Sequence, residues 1–380
     1  MSDLVARMAG SVGELPAADW DALTAGGTDR GNPFMRHGFL SALEDSGSVG
    51  DGTGWLPAPL VIEEGGKLVA ALPAYLKGHS QGEYVFDHAW ADAWERAGGR
   101  YYPKLQVAAP FTPASGPRVL TQRLELVEPL LGFAQQFADA NNLSGIHATF
   151  VEPEQVPLFE AAGWLIRHDI QFHWQNRDYR TFDDFLADLA SRKRKAIRKE
   201  REAAQEGVEI RRLSGSDIRP EHWDAFWHFY QDTGSRKWGR PYLTREAFDL
   251  LGERMGDAIV LVLAFEDGEP IAGALNFAGG DALYGRYWGC TREKRFLHFE
   301  LCYYQAIDEA IERGLARVEA GAQGQHKIAR GYGPVQTTSA HWIADPGFSK
   351  AVADFLDRER EGIAVDAEWL SERTPFRKGP

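Results

Sequence analysis

The most constraining stretch of this sequence lies between residues 259 and 289. Three apolar runs follow one another there, Ile259–Glu266, Ile271–Ala278 and Ala282–Gly289, separated only by short turns containing Asp267-Gly268 and Gly279-Gly280-Asp281. Gly/Asp turns of this length join antiparallel strands, because parallel neighbours need a crossover of a dozen residues or more. The spacing therefore predicts an antiparallel meander. A helix is expected over 299–313. Leu301, Tyr304, Ile307, Ile311 and Leu315 recur at spacings of three and four, and Gly314 suits the residue beyond a helix end. A strand, Leu315–Ala320, then runs into a glycine-rich segment.

The same order returns more weakly earlier. Residues 58–63 and 67–77 read as strands about Glu64-Gly65-Gly66, with a third at 83–86. A loop-rich stretch, 87–118, follows, then a helix at 123–140, a strand at 145–150, a helix at 153–162 closed by Gly163, and a strand at 164–174. A basic helix (182–206), a strand (208–213) and helices near 220–233 and 244–255 lead into the meander. With 380 residues, too many for one ordinary core, the expectation is an α+β (mixed α/β) chain of two similar halves. Each half has a mostly antiparallel central sheet flanked by helices. The expected division is 1–178, 179–345 and a tail, 346–380, with one helix at 348–360.

Charge and cysteines narrow the function. A net charge of −13 opposes non-specific binding to nucleic acid, and no DNA partner is expected. Cys290 and Cys302 are the only cysteines, which gives no disulfide framework. The N-terminal stretch lacks the apolar run of a signal peptide, and no run of about 18 apolar residues occurs. The expected location is the cytoplasm, with a peripheral contact at the inner membrane left open.

Chemistry concentrates in EAGAQGQHKIARGYGPVQTTSAHW, residues 319–342. Glycine lets a backbone approach a ligand closely. Glu319 ends an expected strand, where a carboxylate can face a cleft. Glu319, His326 or His341 could take the proton of an amine. Lys327 and Arg330 suit phosphate or carboxylate groups, and Gln323, Gly324 and Ser339 complete the expected binding set. A solvated polar loop would carry the same residue types. Trp288 and His298 are further substrate- or donor-binding candidates. His298, His326 and His341 set no metal-ligand spacing, and no metal site is expected.

Three other segments stand out. SRKRKAIRKERE (191–202) places seven basic and two acidic residues on one expected helix. It reads as a solvated face, or as a surface for RNA phosphates, an anionic membrane or an anionic carrier. SRKWGRPY (235–242) sets Arg236 and Trp238 among alternating cations and aromatics, either to grip a polar head group or as a plain helix–helix connection. YYPKLQVAAPFTPASGPR (101–118) offers Tyr102 and Lys104 as a substrate wall. No G-x-S-x-G, Walker A or Rossmann pattern occurs.

EAGAQGQHKIARGYGPVQTTSAHW, FYQDTGSRKWGRPYL, YYPKLQVAAPFTP and FHWQNRDYRTFDDFLADLASRKRKAIRKERE together resemble a bacterial family of predicted N-acyltransferases. That family is labelled peptidoglycan-biosynthesis-like and is similar to the FemABX aminoacyl ligases. The resemblance spans about residues 30 to 360. It implies tandem GNAT-like acyltransferase domains, and the meander, helix and strand above follow the GNAT order. It also implies an active cleft built from the second domain and the groove between the two. The Fem relatives move an amino acid from aminoacyl-tRNA to a peptidoglycan precursor. SRKRKAIRKERE looks like the opening helix of their second domain, and the coiled-coil arm of some relatives is absent. GNAT enzymes typically bind the coenzyme A pyrophosphate through Q/R-x-x-G-x-G/A, which CTREKRFLHFELC lacks. Some GNAT-like bacterial enzymes acylate long-chain amino alcohols, a substrate that the aromatic richness would suit.

The resulting expectation is an N-acyltransferase that moves an acyl or aminoacyl group from an activated donor to an amine. The amine would be a lipid amino alcohol, an amino acid or a cell-wall precursor. No tightly bound cofactor is expected. The co-substrate is acyl-CoA, acyl-carrier protein or aminoacyl-tRNA, with tRNA not favoured. The alternative is a non-catalytic module that binds a lipid or cell-wall precursor on a degenerate acyltransferase scaffold.

Overall fold

The computed structural model describes residues 3–24, 31–237, 241–321 and 324–377, and of 235–237 the backbone only. The chain forms two compact units, residues 1–169 with 336–365, and residues 170–335 with 366–380. This differs from the linear division expected at 178 and 345. The cause is strand pairing. TTSAHW, expected within a polar loop, belongs to a strand, Gly333–Ile343. Its residues 338–343 lie antiparallel to Gly145–Val151, with His341 opposite His147.

In the first unit a four-stranded antiparallel sheet is made by Leu4–Met8, Leu60–Glu64, Lys67–Leu72 and Leu120–Thr121. A second sheet runs in the order Trp55–Pro57, Ala74–Lys77, Lys104–Val107, Gly145–Val151 and the strand end at 338–343. Successive side chains of a strand point to opposite faces. One face of this sheet presents Leu105, Val107, Ile146, Ala148 and Ala340, which form a core with Leu130, Leu131 and Ala134 of the helix Val127–Ala140. The other face is polar yet buried. Tyr75, Gln106, His147 and His341 stand opposite one another across four strands, and Lys77 stands opposite Lys104. Two expectations fail here. Residues 83–86 form no strand, because Glu83 turns inward to Lys104. The stretch after Phe86 contains a helix, His88–Arg96, whose Trp90 and Ala91 are buried.

In the second unit the sheet order is Glu209–Leu213, Ile259–Glu266, Glu269–Gly279, Ala282–Cys290 and Arg317–Glu319, followed by the end of Leu165–Gln175. The predicted meander is present, and every pairing within it is antiparallel. One face packs Val260, Val262, Ala272, Ala274, Leu283 and Val318 against Ile197, Leu301, Tyr304, Ile307 and Ala310. On the other face the helix Pro220–Lys237 lies so close that a Cβ on Gly289 would stand 2.1 Å from the carbonyl oxygen of Phe229. The basic helix expected over 182–206 is two helices, Phe182–Asp188 and Ser191–Gln205. The break falls where Leu189 turns extended and the Ala190 amide donates to Pro375. Among the described residues, no helix is long and apolar enough to cross a membrane.

Candidate functional site

The meander of the second unit does not close evenly. Leu275 faces Tyr287 and Asn276 faces Gly285, so Arg286 is an extra residue in its strand. Such bulges bend a strand, re-aim its side chains and recur beside active sites. At the far edge, Ala282–Cys290 pairs in parallel with Arg317–Glu319 over three residues only, ending at Tyr284 and Glu319. Beyond that point the two strands part, and the sheet is open next to the bulge.

The helix that follows the meander covers this opening. Phe296 precedes it at φ 64°. The helix starts at Leu297, passes through a π-turn at Glu300–Tyr304 and continues as Gln305–Glu312. π-Turns inside helices are frequent at functional sites. Here His298, Cys302 and Tyr303 face the opening. With Ala274, Asn276, Gly285, Trp288 and Ala320 they line a cavity of about 140 Å³. Trp288 meets the His298 ring edge-on at 5.1 Å. The turn into the helix is thus made by a phenylalanine in a left-handed conformation rather than by the glycines of a typical pyrophosphate loop.

The Tyr303 hydroxyl lies 2.9 Å from His326 Nε2. His326 is in the first turn of a short 3-10 helix, Gln325–Arg330. Gly324 precedes it at φ +119°, and a Cβ there would stand 2.5 Å from His326 Cε1. Only glycine leaves room for the ring to fold back. Partial burial lowers the His326 pKa below the usual value, and the Lys327 and Arg330 cations lower it further. Burial raises the pKa of Tyr303. At neutral pH the pair is therefore a phenol next to a neutral imidazole.

The other residues of the glycine-rich segment are placed differently. Lys327 is buried and donates to the carbonyls of Ala320 (2.6 Å) and Gly321 (2.9 Å), and burial brings its pKa down to about 8. Arg330 donates to Glu200 and to the His326 carbonyl and stacks 3.4 Å over the Phe299 ring. Both cations hold the loop itself. Glu319 does not line the cavity. Strand alternation puts Val318 in the core on the cavity side and turns Glu319 to the opposite face. There Arg317 donates to it at 2.9 Å, and His173 Nε2 is 3.8 Å away. The basic helix braces the site from within. Arg201 bonds Glu300 and Asp308, and Glu200 accepts from Tyr304 at 2.5 Å, while Arg192, Lys193, Lys195 and Lys199 are exposed.

Four expected site residues belong to the buried polar face of the first unit. His341 Nδ1 lies 2.8 Å from His147 Nδ1. Burial holds the pKa of both rings below the usual value. Ser339 accepts from the Phe150 amide at 3.2 Å. Tyr102 shares a hydrogen bond of 2.7 Å with Ser80. Lys104 bonds Ser80 (2.9 Å), Glu83 (2.7 Å) and Asp87. Burial opposes its charge, but the two carboxylates outweigh burial and raise its pKa. Gln323 and Trp238 lie outside the described residues, as does the Arg236 side chain.

The sequence reading missed Asn276, Glu83, Asp87 and His147. Asn276 had a visible signal, since it is the sole polar side chain between Ile271 and Ala278, in a strand type that disfavours asparagine. The others gave none, because Lys104 selects Glu83 and Asp87, and His341 selects His147, through contacts made only in the folded unit.

Comparisons with known proteins agree with this architecture. The chain resembles the crystal structure of FemX with a TM-score of 0.56 at 13% identity, over 89% of this chain and 98% of that one. It resembles L-PGS from Bacillus licheniformis with a TM-score of 0.50 at 11% identity, over 83% and 95% of the two chains. A tandem GNAT protein from the clavulanic acid biosynthesis pathway aligns over 90% and 99% at 15% identity, with a TM-score of 0.48. At these identities the likeness to FemX and L-PGS establishes the fold alone, an α+β architecture. No curated protein sequence matches. The family model for FemAB-like proteins of peptidoglycan biosynthesis and recognition matches residues 11–378. Because that match spans nearly the whole chain, the chain belongs to the FemAB-like family.

Proposed function

We propose that the second unit is an N-acyltransferase whose cavity brings an activated acyl or aminoacyl donor to a primary amine. The observation that carries this reading is the Tyr303–His326 pair at the wall of a cavity in an open sheet. The amine nitrogen attacks the donor carbonyl, the new C–N bond forms, and the bond to the leaving thiol or alcohol breaks. The amine loses one proton. Tyr303 takes it while passing its own proton to His326 Nε2, so the phenol stays neutral and the imidazole becomes charged. Running the relay backward protonates the leaving group, and no oxidant or reductant is needed. Lys327 and Arg330 act by fixing the loop that holds His326. Trp288 and His298 are proposed to shape the donor side of the cavity, and the polar face with Lys104, Tyr102, Ser339 and His341 is not given a catalytic step.

The test is a panel of donors and acceptors. Acetyl-CoA, palmitoyl-CoA, an acyl-carrier thioester and an aminoacyl-tRNA are each paired with amino acids, a long-chain amino alcohol and a muropeptide amine. Amide formation is read by mass spectrometry and thiol or tRNA release by absorbance. Amide product with at least one pair, lost in His326→Ala, is the expected result. Binding without amide across the panel would favour the binding-module alternative and remove the transferase reading.

A further inference from the structure

Asn276 is 1% exposed and lines the cavity. Its Nδ2 donates to the Val260 carbonyl at 3.2 Å. A carbonyl oxygen only accepts, so the nitrogen end of the amide faces the sheet and Oδ1 faces away from it. Among the described residues, Oδ1 has no hydrogen-bond partner. Gly285 stands opposite it at the bulge. A Cβ there would stand 3.5 Å from Oδ1 and 3.6 Å from the Glu319 carbonyl oxygen. A buried acceptor without a donor is unfavourable, and its place in a cavity wall is explained by a ligand that supplies the donor.

We propose that Asn276 binds the nucleophile, accepting one N–H of a primary amine on Oδ1. This rests on the acyl-transfer reading of the same cavity. Chemistry selects the amine among the reactants. The carbonyl end of an acyl donor presents lone pairs, which Oδ1 would repel. An alcohol has one hydrogen, which it must give to the base. A neutral primary amine has two, so one can rest on Asn276 while the other goes to Tyr303, leaving the lone pair for attack. The carboxamide also carries no charge. A carboxylate in its place would stabilise the ammonium form and withhold the lone pair, whereas asparagine holds the reactive neutral amine.

The probe is hexylamine, with hexan-1-ol as the control lacking an amine. Binding is read as protection of Cys302, which lines the same cavity, from alkylation by iodoacetamide. Wild type, Asn276→Leu and Asn276→Asp are compared after confirming cooperative thermal unfolding of each. Hexylamine should protect wild type better than hexan-1-ol does. Protection should weaken roughly ten-fold in Asn276→Leu and strengthen in Asn276→Asp. With a donor from the panel that turns over, Asn276→Leu should raise KM for the amine more than it lowers kcat. Asn276→Asp should shift the rise of rate with pH to higher pH, a change that loss of packing alone does not produce. Equal protection by hexylamine in wild type and in Asn276→Leu overturns the proposal. If Asn276→Leu does not fold, unchanged protection and an unchanged pH profile in Asn276→Asp overturn it. Amine-selective protection with no turnover on any donor would leave the amine site standing and remove the transferase reading instead.

Discussion

Tyr303→Phe and His326→Ala are each expected to lower kcat for amide formation by roughly 10²–10⁴-fold, the range for losing a general acid–base group, with little change in folding. Tyr303→Phe removes only the hydroxyl that meets His326 at 2.9 Å, and His326 is exposed, so neither change opens a core. The pair should act as a unit, and the double variant should be little slower than the worse single one. The pH profile gives a second check. Burial and two neighbouring cations place the His326 pKa below that of ordinary histidine. The base is therefore free at neutral pH, and kcat/KM should fall only as pH drops below about 6.5. Stopped assays of amide product against pH measure this. Full activity in both variants would remove the pair from the mechanism.

Lys104→Met is expected to destabilise the protein by about 3–5 kcal/mol, the cost of breaking a buried ion pair from one side. Lys104 is completely buried and is the hydrogen-bonding cation of Glu83 and Asp87, both also buried. Burial pushes the Glu83 carboxyl up to about 7. Burial also acts on Asp87, but there the Lys104 charge prevails and holds its pKa below the usual value. Without the ammonium, the buried Asp87 would lose its ion-pair partner, although the Tyr101 hydroxyl still donates to it at 2.7 Å, and Glu83 would keep the longer contact to Lys77 at 3.8 Å. The destabilisation comes from the carboxyls that lose Lys104 rather than from lost packing. Adding Glu83→Gln and Asp87→Asn to Lys104→Met should therefore recover most of the stability. Urea unfolding of the single and triple variants measures both effects, and a triple variant as weak as the single one would contradict the account.

The meander was legible because Asp267-Gly268 and Gly279-Gly280-Asp281 leave no room for any connection except hairpins. The covering helix was legible from its apolar spacing, but the π-turn that aims Tyr303 was not, since one extra residue per turn leaves the spacing of Leu301, Tyr304 and Ile307 helical. Within the glycine-rich segment, His326 meets the Tyr303 hydroxyl and Lys327 donates to the Ala320 carbonyl, and both Tyr303 and Ala320 line the cavity. The unity of the segment was overread. Glu319 and His341 are 22 positions apart, yet strand alternation turns one away from the cavity, and pairing with Gly145–Val151 carries the other into the first unit. His147, the partner of His341, lies 194 positions away. No local pattern could have joined them. The face of a strand residue and the partner of a buried histidine are set by register between distant segments, which a single sequence does not print.

The central claim is that amide formation takes place in the cavity beside Tyr303. Only two cysteines occur in the chain. Cys290 is buried, whereas Cys302 is partly exposed and lines that cavity. The most direct measurement is the rate of amide formation during progressive alkylation of Cys302 by N-ethylmaleimide, with Cys302→Ala as control. Activity should fall in step with Cys302 modification, the acyl donor should slow both, and Cys302→Ala should remain active and insensitive to the reagent. Undiminished turnover with Cys302 fully alkylated would place the reaction elsewhere in the molecule.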